Sequence, residues 1–285
     1  MLTFILYKLG EFLACYLPSK LAYWIAEKIA DFFFVFSFGK YKTYKEAVFH
    51  NLAIIGFKDK TYARDVFRNF ARYIREFLWL GRISKRRFFR EASLVGIENL
   101  DAALKKERGV LLLSCHFGNW EWGGIALSLW GYKMCFLVRP HTNVYTNDLF
   151  NNLRRKKGVE IIPTTNLKQV IVALRNNKVV AFLVDEANEG IKVKLCNKII
   201  TLASGPFKIA WKYGAIISPA FMIKDKKTGI QRGIIEPPIE VDSKLKMQES
   251  IKIAAQKFAK IMENYLSFYP DHWLLLKKKK VYSYR

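Results

Sequence analysis

From about residue 94 onward, short apolar runs alternate with helical stretches, and this alternation constrains the fold more than any other feature of the chain. The apolar runs lie at 110–113, 134–138, 159–162, 179–184, 216–223 and 233–235. Helical periodicity is found at 119–130, 145–157, 167–176, 204–213 and 246–268. Helices that follow strands in this order connect the neighbouring strands of a largely parallel sheet. The sequence therefore predicts an α/β domain with a mostly parallel or mixed sheet flanked by helices.

The first 40 residues have a different, lipid-like character. Two amphipathic helices are predicted at 1–16 and 19–37, and the second has a strongly aromatic surface. Charged side chains interrupt both helices, so no uncharged apolar run reaches the roughly 18 residues of a confident membrane-spanning helix. We predict a membrane-associating helical segment over 1–40, interfacial or marginally spanning, followed by one α/β domain over 41–285. Two buried helices of a soluble domain are the alternative interpretation.

The chain is strongly basic, with 48 Lys and Arg residues against 24 Asp and Glu and a formal net charge of +24. Such a charge indicates a polyanionic partner, which is an anionic membrane surface, an acidic carrier protein or a nucleic acid. Composition does not choose among the three. Within the predicted helix 61–82, Arg64, Arg68, Arg72 and Arg75 lie among the apolar positions and are expected to be mostly solvated. A membrane-facing or carrier-facing role for them is the alternative.

The stretch 110–124, VLLLSCHFGNWEWGG, is the best candidate for a reactive site. His116 follows a predicted buried strand, at the carboxyl end where open α/β sheets place their sites. Asn119 is a plausible N-cap, and Glu121 then falls in the first turn of the next helix. On one regular helix His116 and Glu121 would point apart, so they can meet only if the chain bends at Gly118. We predict that Glu121 orients His116 as a general base, whereas a purely structural histidine is the alternative.

Other reaction chemistries find little support in the sequence. GxSxG, HExxH, P-loop and GxGxxG motifs are absent. Cys115 and His116 are adjacent, so their side chains diverge in an extended segment and make a poor nucleophile–base pair. The four cysteines are scattered without metal-like spacing and are expected to be free thiols in a reducing compartment. No metal and no redox cofactor is expected.

The segment His116-Phe117-Gly118-Asn119-Trp120-Glu121 resembles the HX4D/E box of glycerolipid acyltransferases. Its HFGNWE form is similar to that of the bacterial lipid A biosynthesis acyltransferases, and enzymes that acylate phosphatidylinositol mannosides belong to the same superfamily. The likeness covers most of the chain and includes four further landmarks: Asn51-Leu52, Val138-Arg139-Pro140, Asp185 followed by Gly190, and Pro270-Asp271-His272-Trp273. It implies a glycerolipid-acyltransferase-like mixed sheet flanked by helices.

The resemblance also implies roles for particular side chains. His116 would be the general base and Glu121 its orienting carboxylate, with Gly118 and Asn119 supporting the site. Arg154 would stabilise an oxyanion or bind a phosphate, although Arg155 is a rival and both could belong to a solvated basic run. Arg139 is a further candidate phosphate contact or a surface charge. Asp185 would pair with Arg154 or order the acceptor site.

The activity implied is transfer of a fatty acyl chain from acyl–acyl carrier protein, or from acyl-CoA, to a hydroxyl of a lipid A precursor or related glycolipid. A phosphatidylinositol-mannoside-like or other phospholipid acceptor is the alternative. The resemblance implies the cytoplasmic face of a bacterial inner membrane, with attachment through the N-terminal segment. A thioesterase, a non-catalytic membrane scaffold and a nucleic-acid-binding protein remain alternatives, and no nucleic acid is expected. Two departures from the family's sequence pattern leave the acceptor and the length of the acyl chain open. Glu186 replaces the usual Gln, and Leu274 begins a C-terminal sequence that is unusual for the family.

Overall fold

A seven-stranded mixed sheet forms the centre of the structure, which is a computed structural model that describes residues 1–187, 189–225 and 227–282. The strands of this sheet are β1 (Ala92–Val95), β2 (Val110–Ser114), β3 (Met134–Val138), β4 (Glu160–Pro163), β5 (Val179–Leu183), β8 (Ile216–Lys224) and β9 (Gln231–Ile235). Their order is β1-β9-β8-β2-β5-β3-β4, and every neighbouring pair is parallel except β8 and β9. A small antiparallel sheet contains β6 (Ile191–Leu195), β7 (Lys198–Leu202) and β10 (Val281–Tyr282).

Helices cover both faces of the large sheet. They are α1 (Leu2–Tyr16), α2 (Ser19–Phe36), α3 (Lys40–Ile54), α4 (Lys60–Trp79), α5 (Lys85–Glu91), α6 (Ile97–Leu104), α7 (Trp120–Trp130), α8 (Val144–Arg155), α9 (Leu167–Arg175), α10 (Gly205–Tyr213) and α11 (Met247–Phe268). A short 3-10 turn, Pro270–His272, follows α11.

The alternation of apolar runs and helices predicted this architecture correctly. Each of the six predicted apolar runs coincides with a strand of the large sheet to within one or two residues at either end. The sequence pattern did not reveal β1, which has only four residues, or the small sheet. In β6 the signal was present, because Ile191, Val193 and Leu195 alternate with exposed lysines at the period of a strand.

The central strand β2 shows how the sheet separates two cores. Leu111 and Leu113 pack into the core that contains α9, α10 and α11. Val110 and Leu112 point to the opposite core, which contains α7 and the C-terminal part of α4. Successive side chains of a strand alternate between faces, so a strand covered by helices on both sides must be apolar throughout. The run VLLL meets this requirement.

The predicted N-terminal helices are present, and they pack on α4. Tyr23 of α2 donates a hydrogen bond to Glu76 of α4 (2.8 Å), and Tyr7 of α1 packs edge-on against Phe150 of α8 (5.0 Å between ring centroids).

Within the described residues, the structure offers no helix with the length and apolar character needed to cross a bilayer. The predicted marginal span is therefore not supported, and the boundary at residue 40 stays a prediction. The predicted second domain ends at residue 285, and residues 283–285 lie outside the described part.

The arginines of α4 hold α2 in place, which corrects the expectation that they are mostly solvated. Arg64 and Arg68 each donate two hydrogen bonds of 2.8 Å to the carboxylate of Asp31, which is only 8% exposed. Nε of Arg72 donates to Oε1 of Glu27 (2.8 Å), and Nη2 lies at the same distance from that oxygen. Arg75 is buried, and its guanidinium lies over the ring of Tyr23 at 4.4 Å. These charge-assisted contacts connect the helices along their shared face.

The loop between β2 and α7 requires glycine at position 118. Gly118 has φ +56°, and a Cβ atom there would lie 1.8 Å from the carbonyl oxygen of Met222 in β8. Gly131, which ends α7, also has a positive φ (+105°), but a Cβ atom at this position would have no other atom within 4 Å. The two glycines share a left-handed backbone and differ in the space around them.

We expect Gly131→Ala to lower the free energy of unfolding by about 1 kcal/mol, the cost of a left-handed backbone. Gly118→Ala should cost at least about 3 kcal/mol, because β8 must also move. Urea denaturation of both variants at neutral pH measures the difference. Equal losses of stability in the two variants would contradict the close approach of this loop to β8.

Candidate active site

The register of two parallel strands brings His116 and Asp185 together. Ser114 of β2 and Leu183 of β5 are register partners, and His116 and Asp185 each follow two residues later. Adjacent strands lie about 5 Å apart, so equivalent positions beyond their carboxyl ends remain neighbours. Nδ1 of His116 lies 2.8 Å from Oδ1 of Asp185. The backbone N–H of His116 also donates to both carboxylate oxygens (3.2 and 3.1 Å).

Asp185 is fully buried and is held from several directions. The indole N–H of Trp273 donates to its Oδ2 at 2.9 Å. Burial opposes ionisation, but His116, the hydrogen bond from Trp273 and the nearby Lys279 outweigh it, so the pKa of Asp185 is lowered. The carboxylate is therefore ionised at neutral pH, and it fixes the proton of the neutral imidazole on Nδ1.

The other imidazole nitrogen, Nε2, makes no contact with Asp185. Its nearest acidic group is Glu186, with 3.6 Å between Nε2 and Oε2. Trp120 packs edge-on against the imidazole (5.1 Å between ring centroids), and 20% of the His116 side chain is exposed. Burial lowers the pKa of His116, but Asp185 and then Glu186 raise it by more, so the net shift is upward.

Glu121 does not hold the imidazole as predicted, because it forms a buried ion pair with Arg154. Nε of Arg154 donates to both Glu121 oxygens (3.2 and 3.0 Å), and Nη2 donates to Oε1 (2.5 Å). Both side chains are less than 10% exposed. The first turn of α7 points Glu121 at the end of α8, and the acid that meets His116 comes from β5 instead. The expected pairing of Asp185 with Arg154 is wrong for the same reason.

The structure also separates Arg154 from its rival Arg155. Arg154 is buried, receives support from Asn151 Oδ1 (2.9 Å) and lies 5.2 Å from the ring centre of Phe77. Burial alone would lower its pKa, but Glu121 raises it by more, so the guanidinium stays charged. Arg155 is exposed and bonds Asn152 one turn earlier on α8 (3.3 Å). Of the two arginines, Arg154 is the one at the site.

Asn119 caps α7 as predicted. Its Oδ1 accepts a hydrogen bond from the Trp122 N–H (3.1 Å), while its Nδ2 donates to the buried Glu76 (2.6 Å). The Gly118 N–H donates to the His272 carbonyl at 2.8 Å. The bend between His116 and α7 is thus held by α4 and by the C-terminal segment, and it fixes where the helix begins.

An apolar cavity of about 360 Å³ opens beside His116 and runs between α7 and the large sheet. His116, Glu121 and Arg154 lie on its wall together with His141 and Arg139. The remaining wall is formed by residues of α1, α4 and α8 and by residues of several strands and of α7, including Leu94, Leu112, Gly123, Leu127, Phe136, Ala181, Met222 and Ile235. The cavity joins a polar end that contains His116, Glu121 and Arg154 to an apolar interior.

Arg139 lies between this cavity and a smaller polar one of about 170 Å³. Its side chain is 70% exposed and pairs with Glu186 (3.2 Å), which Lys277 also contacts. Lys278 and Lys279 complete the basic wall of the smaller cavity. Within the part of the chain that the structure describes, no group of His, Cys, Asp and Glu side chains could hold a metal ion.

Sequence reasoning missed three residues that act on the His116–Asp185 pair. In the sequence Trp273 is only one member of the C-terminal landmark, Lys279 carries no predicted role, and Glu186 is only a departure from the family pattern. Nothing near Trp273 or Lys279 in the sequence points to position 185. Their contacts arise because the chain returns across the ends of β2 and β5 after α11.

Comparison with known proteins identifies similar sequences of two kinds. A phosphatidylinositol mannoside acyltransferase of Mycobacterium tuberculosis is 28% identical over 170 residues, which are 53% of this chain and 51% of that protein. Its namesake in Mycolicibacterium smegmatis is 25% identical over 162 residues, 53% of this chain and 52% of that protein. A lipid A biosynthesis palmitoleoyltransferase of Escherichia coli is 30% identical over 91 residues, 32% of this chain and 29% of that protein. The match thus spans about half the length of the mycobacterial relatives.

A model of one protein family matches nearly the whole chain, from residue 1 to residue 280. The match includes the β2–α7 loop with His116, the β5 end with Asp185 and the C-terminal segment with Trp273. On this evidence the chain belongs to the bacterial lipid A biosynthesis acyltransferase family.

Proposed function

We propose that this protein transfers a fatty acyl chain from an acyl thioester to a hydroxyl group of a lipid A precursor or a related glycolipid, with His116 as the general base. The observation that carries this proposal is the 2.8 Å contact between Nδ1 of His116 and Asp185 at the entrance of an apolar cavity. An imidazole whose tautomer is fixed by a buried carboxylate can accept a proton from an alcohol through its other nitrogen.

The reaction proceeds by direct transfer between two bound substrates. Nε2 of His116 removes the proton of the acceptor hydroxyl, and the oxygen forms a bond to the thioester carbonyl carbon. The resulting tetrahedral oxyanion collapses, the carbon–sulfur bond breaks, and the leaving thiolate takes the proton from Nε2. Asp185 remains ionised throughout and stabilises the imidazolium formed in the first step. No metal or redox cofactor takes part.

Arg154 supplies positive charge to this reaction from a fixed position. Its guanidinium is held by Glu121 and Asn151 on the wall of the cavity that contains His116. A charge that is already oriented in a water-poor site stabilises a developing oxyanion without further reorganisation. The same group could instead bind a phosphate of the acceptor, a geometry that suits arginine.

The apolar cavity accommodates the fatty acyl chain. Its volume of about 360 Å³ and its apolar wall beneath α7 suit a hydrocarbon whose reacting carbonyl lies near His116. An acidic acyl carrier protein would be attracted to a chain of net charge +24, and acyl-CoA would carry its own phosphates to the same basic surface. Arg139, Lys277 and Lys278 around the smaller cavity are suited to a phosphate of either donor.

The N-terminal helices attach the protein to the surface of an anionic membrane without crossing it. On α1, Leu9 and Phe12 are 54% and 56% exposed, and Trp24 and Phe32 of α2 are 57% and 50% exposed. Both helices pack on α4 with their other faces. Amphipathic helices of this kind lie in the headgroup region, where basic side chains add electrostatic attraction. A lipid acceptor would then reach the site from the bilayer surface.

His116→Ala is expected to reduce acyl transfer at least about 100-fold, because the general base is lost. The kcat/KM of the wild type should rise with pH through the raised pKa of His116, since only the neutral imidazole accepts the proton. Asp185→Asn should lower kcat by a similar factor. It should also move the ascending limb of the pH profile to lower pH, because the ion pair that favours the protonated imidazole is gone. Mass spectrometry of glycolipid acceptors incubated with acyl carrier thioesters measures both effects.

Two control variants distinguish the proposed partner of His116. Glu121→Gln should lower kcat by loosening Arg154 but leave the pH limb in place, and Asp242→Asn, at an exposed loop carboxylate, should change neither. A pH limb that moves in Glu121→Gln and not in Asp185→Asn would refute the assignment. Release of free fatty acid without an acylated lipid would indicate a thioesterase.

Gly123→Leu should shift the enzyme toward shorter acyl donors. A Cβ at position 123 would lie 3.8 Å from Sδ of Met222, so a longer side chain would extend into the cavity without displacing the backbone. The expected result is a loss of kcat/KM of at least about tenfold for long donors and little change for short ones. Gly205→Leu on α10, where no atom lies within 4 Å of the added Cβ, is the control. An unchanged chain-length profile in Gly123→Leu would show that the acyl chain binds elsewhere.

Replacing Leu9 and Phe12 together with glutamate should weaken binding to phosphatidylglycerol vesicles at least about tenfold, since burying one such side chain contributes about 1.5–3 kcal/mol. Phe268→Glu, at the end of α11, is a matched control because Phe268 is 79% exposed but lies away from the N-terminal helices in the sequence. Vesicle co-sedimentation measures the binding. If Phe268→Glu weakens binding as much as the double variant, the N-terminal helices are not the attachment site.

A further inference from the structure

Lys279 lies in a basic run, Lys277 to Lys280, yet it is buried and only 3% exposed, whereas its neighbours are exposed. Its ammonium donates hydrogen bonds to three backbone carbonyls, those of Asp185 (2.5 Å), Ala187 (3.1 Å) and Thr201. An ammonium has three N–H donors, so these carbonyls satisfy it completely. Two of the three belong to the turn that begins with the partner of His116.

The main chain around Lys279 is fixed as firmly as its side chain. The backbone N–H of Lys279 donates to Oδ1 of Asn51 (2.9 Å), and Nε2 of His50 lies 2.8 Å from its carbonyl oxygen. Nδ2 of the buried Asn51 donates to the carbonyls of Leu275 and Lys277 (2.9 Å each). Helix α3 therefore holds the C-terminal segment at three alternate residues, and Lys279 has little freedom to move away from the turn.

The same segment contacts the other half of the reactive pair. The Leu274 N–H donates to the carbonyl of His116 (2.6 Å), the Gly118 N–H donates to the carbonyl of His272 (2.8 Å), and Trp273 donates to the Asp185 carboxylate (2.9 Å). A single stretch of chain thus binds the loop after β2 and the turn after β5. Its contacts set the position of His116 and Asp185 relative to each other.

We propose that Lys279 is a positioning residue for the acyl transfer: its hydrogen bonds to the carbonyls of Asp185 and Ala187 hold the turn, and its bond to Thr201 ties that turn to β7, so that the Asp185 carboxylate stays aligned with Nδ1 of His116. This inference rests on the proposed function, since it assigns Lys279 a part in that reaction. A side chain used only for solubility would keep its ammonium in water. Here burial lowers the pKa of Lys279 to about 8, against the opposing effect of Asp185 and Glu186, and the cation is nevertheless held in place by the turn.

Lys279→Met removes the donors and the charge but keeps an unbranched apolar stem. We expect kcat to fall at least about tenfold with KM within about threefold of wild type, because a small misplacement of the reacting groups is enough to slow the reaction. Lys280→Met is the matched control, since Lys280 is exposed and its ammonium lies over the ring of Tyr282 (5.1 Å). A kcat of Lys279→Met within about twofold of wild type would overturn the proposal.

Proton NMR provides a readout that does not depend on turnover. The Nδ1 proton shared by His116 and Asp185 should give a downfield resonance that His116→Ala abolishes, which assigns it. We expect Lys279→Met to shift or broaden this resonance and Lys280→Met to leave it unchanged. If the wild type transfers no acyl chain but the resonance still depends on Lys279, the proposed function fails and the positioning role stands. If the wild type is active and neither kcat nor the resonance changes in Lys279→Met, the positioning role fails alone.

Lys279→Arg provides the test if the methionine variant does not fold. The guanidinium keeps the charge, but its planar fork cannot direct three donors to the carbonyls that surround the ammonium. We expect a reduced kcat and a shifted resonance in a folded protein, with folding checked by circular dichroism. Wild-type values for both measurements in Lys279→Arg would overturn the proposal.

Discussion

The hydrogen bond between His116 and Asp185 depends on the register of β2 and β5, and the rest of the site is arranged around it. Because Ser114 and Leu183 are paired, His116 and Asp185 leave the sheet side by side. A shift of one residue in that register would turn every side chain of one strand to the opposite face, so the two apolar cores that clamp β2 also protect the site. The same strands that stabilise the fold therefore determine which acid meets the imidazole.

The second polar pair at the site, Glu121 with Arg154, performs a different task. Removing two charges from water costs free energy, and the pair compensates with three hydrogen bonds and the support of Asn151. Such a pair contributes little to stability, but it keeps a guanidinium in a fixed orientation on the cavity wall. The four-residue interval between histidine and acid in the HX4E box is thus explained by the path of the chain from β2 into α7, which delivers Glu121 to Arg154.

The ends of the chain complete a site whose centre lies in the middle of the sequence. Tyr7 of α1 lines the cavity, and Trp273 and Lys279 hold Asp185. The N-terminal helices also show that apolar periodicity and charge alone do not predict which of their side chains have partners in the fold. The acidic residues of α2, Glu27 and Asp31, are the partners of α4 arginines. The exposed apolar side chains of α1 and α2 lie on the faces turned away from α4.

The sequence by itself determined the α/β architecture, the positions of the main strands and helices, the N-cap at Asn119 and the place of His116 at the carboxyl end of a buried strand. These features follow from local physics, since hydrophobic period, capping and backbone freedom are properties of short segments. Only the tertiary structure decided that Asp185, and not Glu121, holds His116, that Arg154 lies at the site while Arg155 does not, and that Lys279 is buried beneath the turn. Those outcomes depend on strand register and on where the chain returns after α11, and such long-range pairings leave no periodic signal in the residues that take part in them.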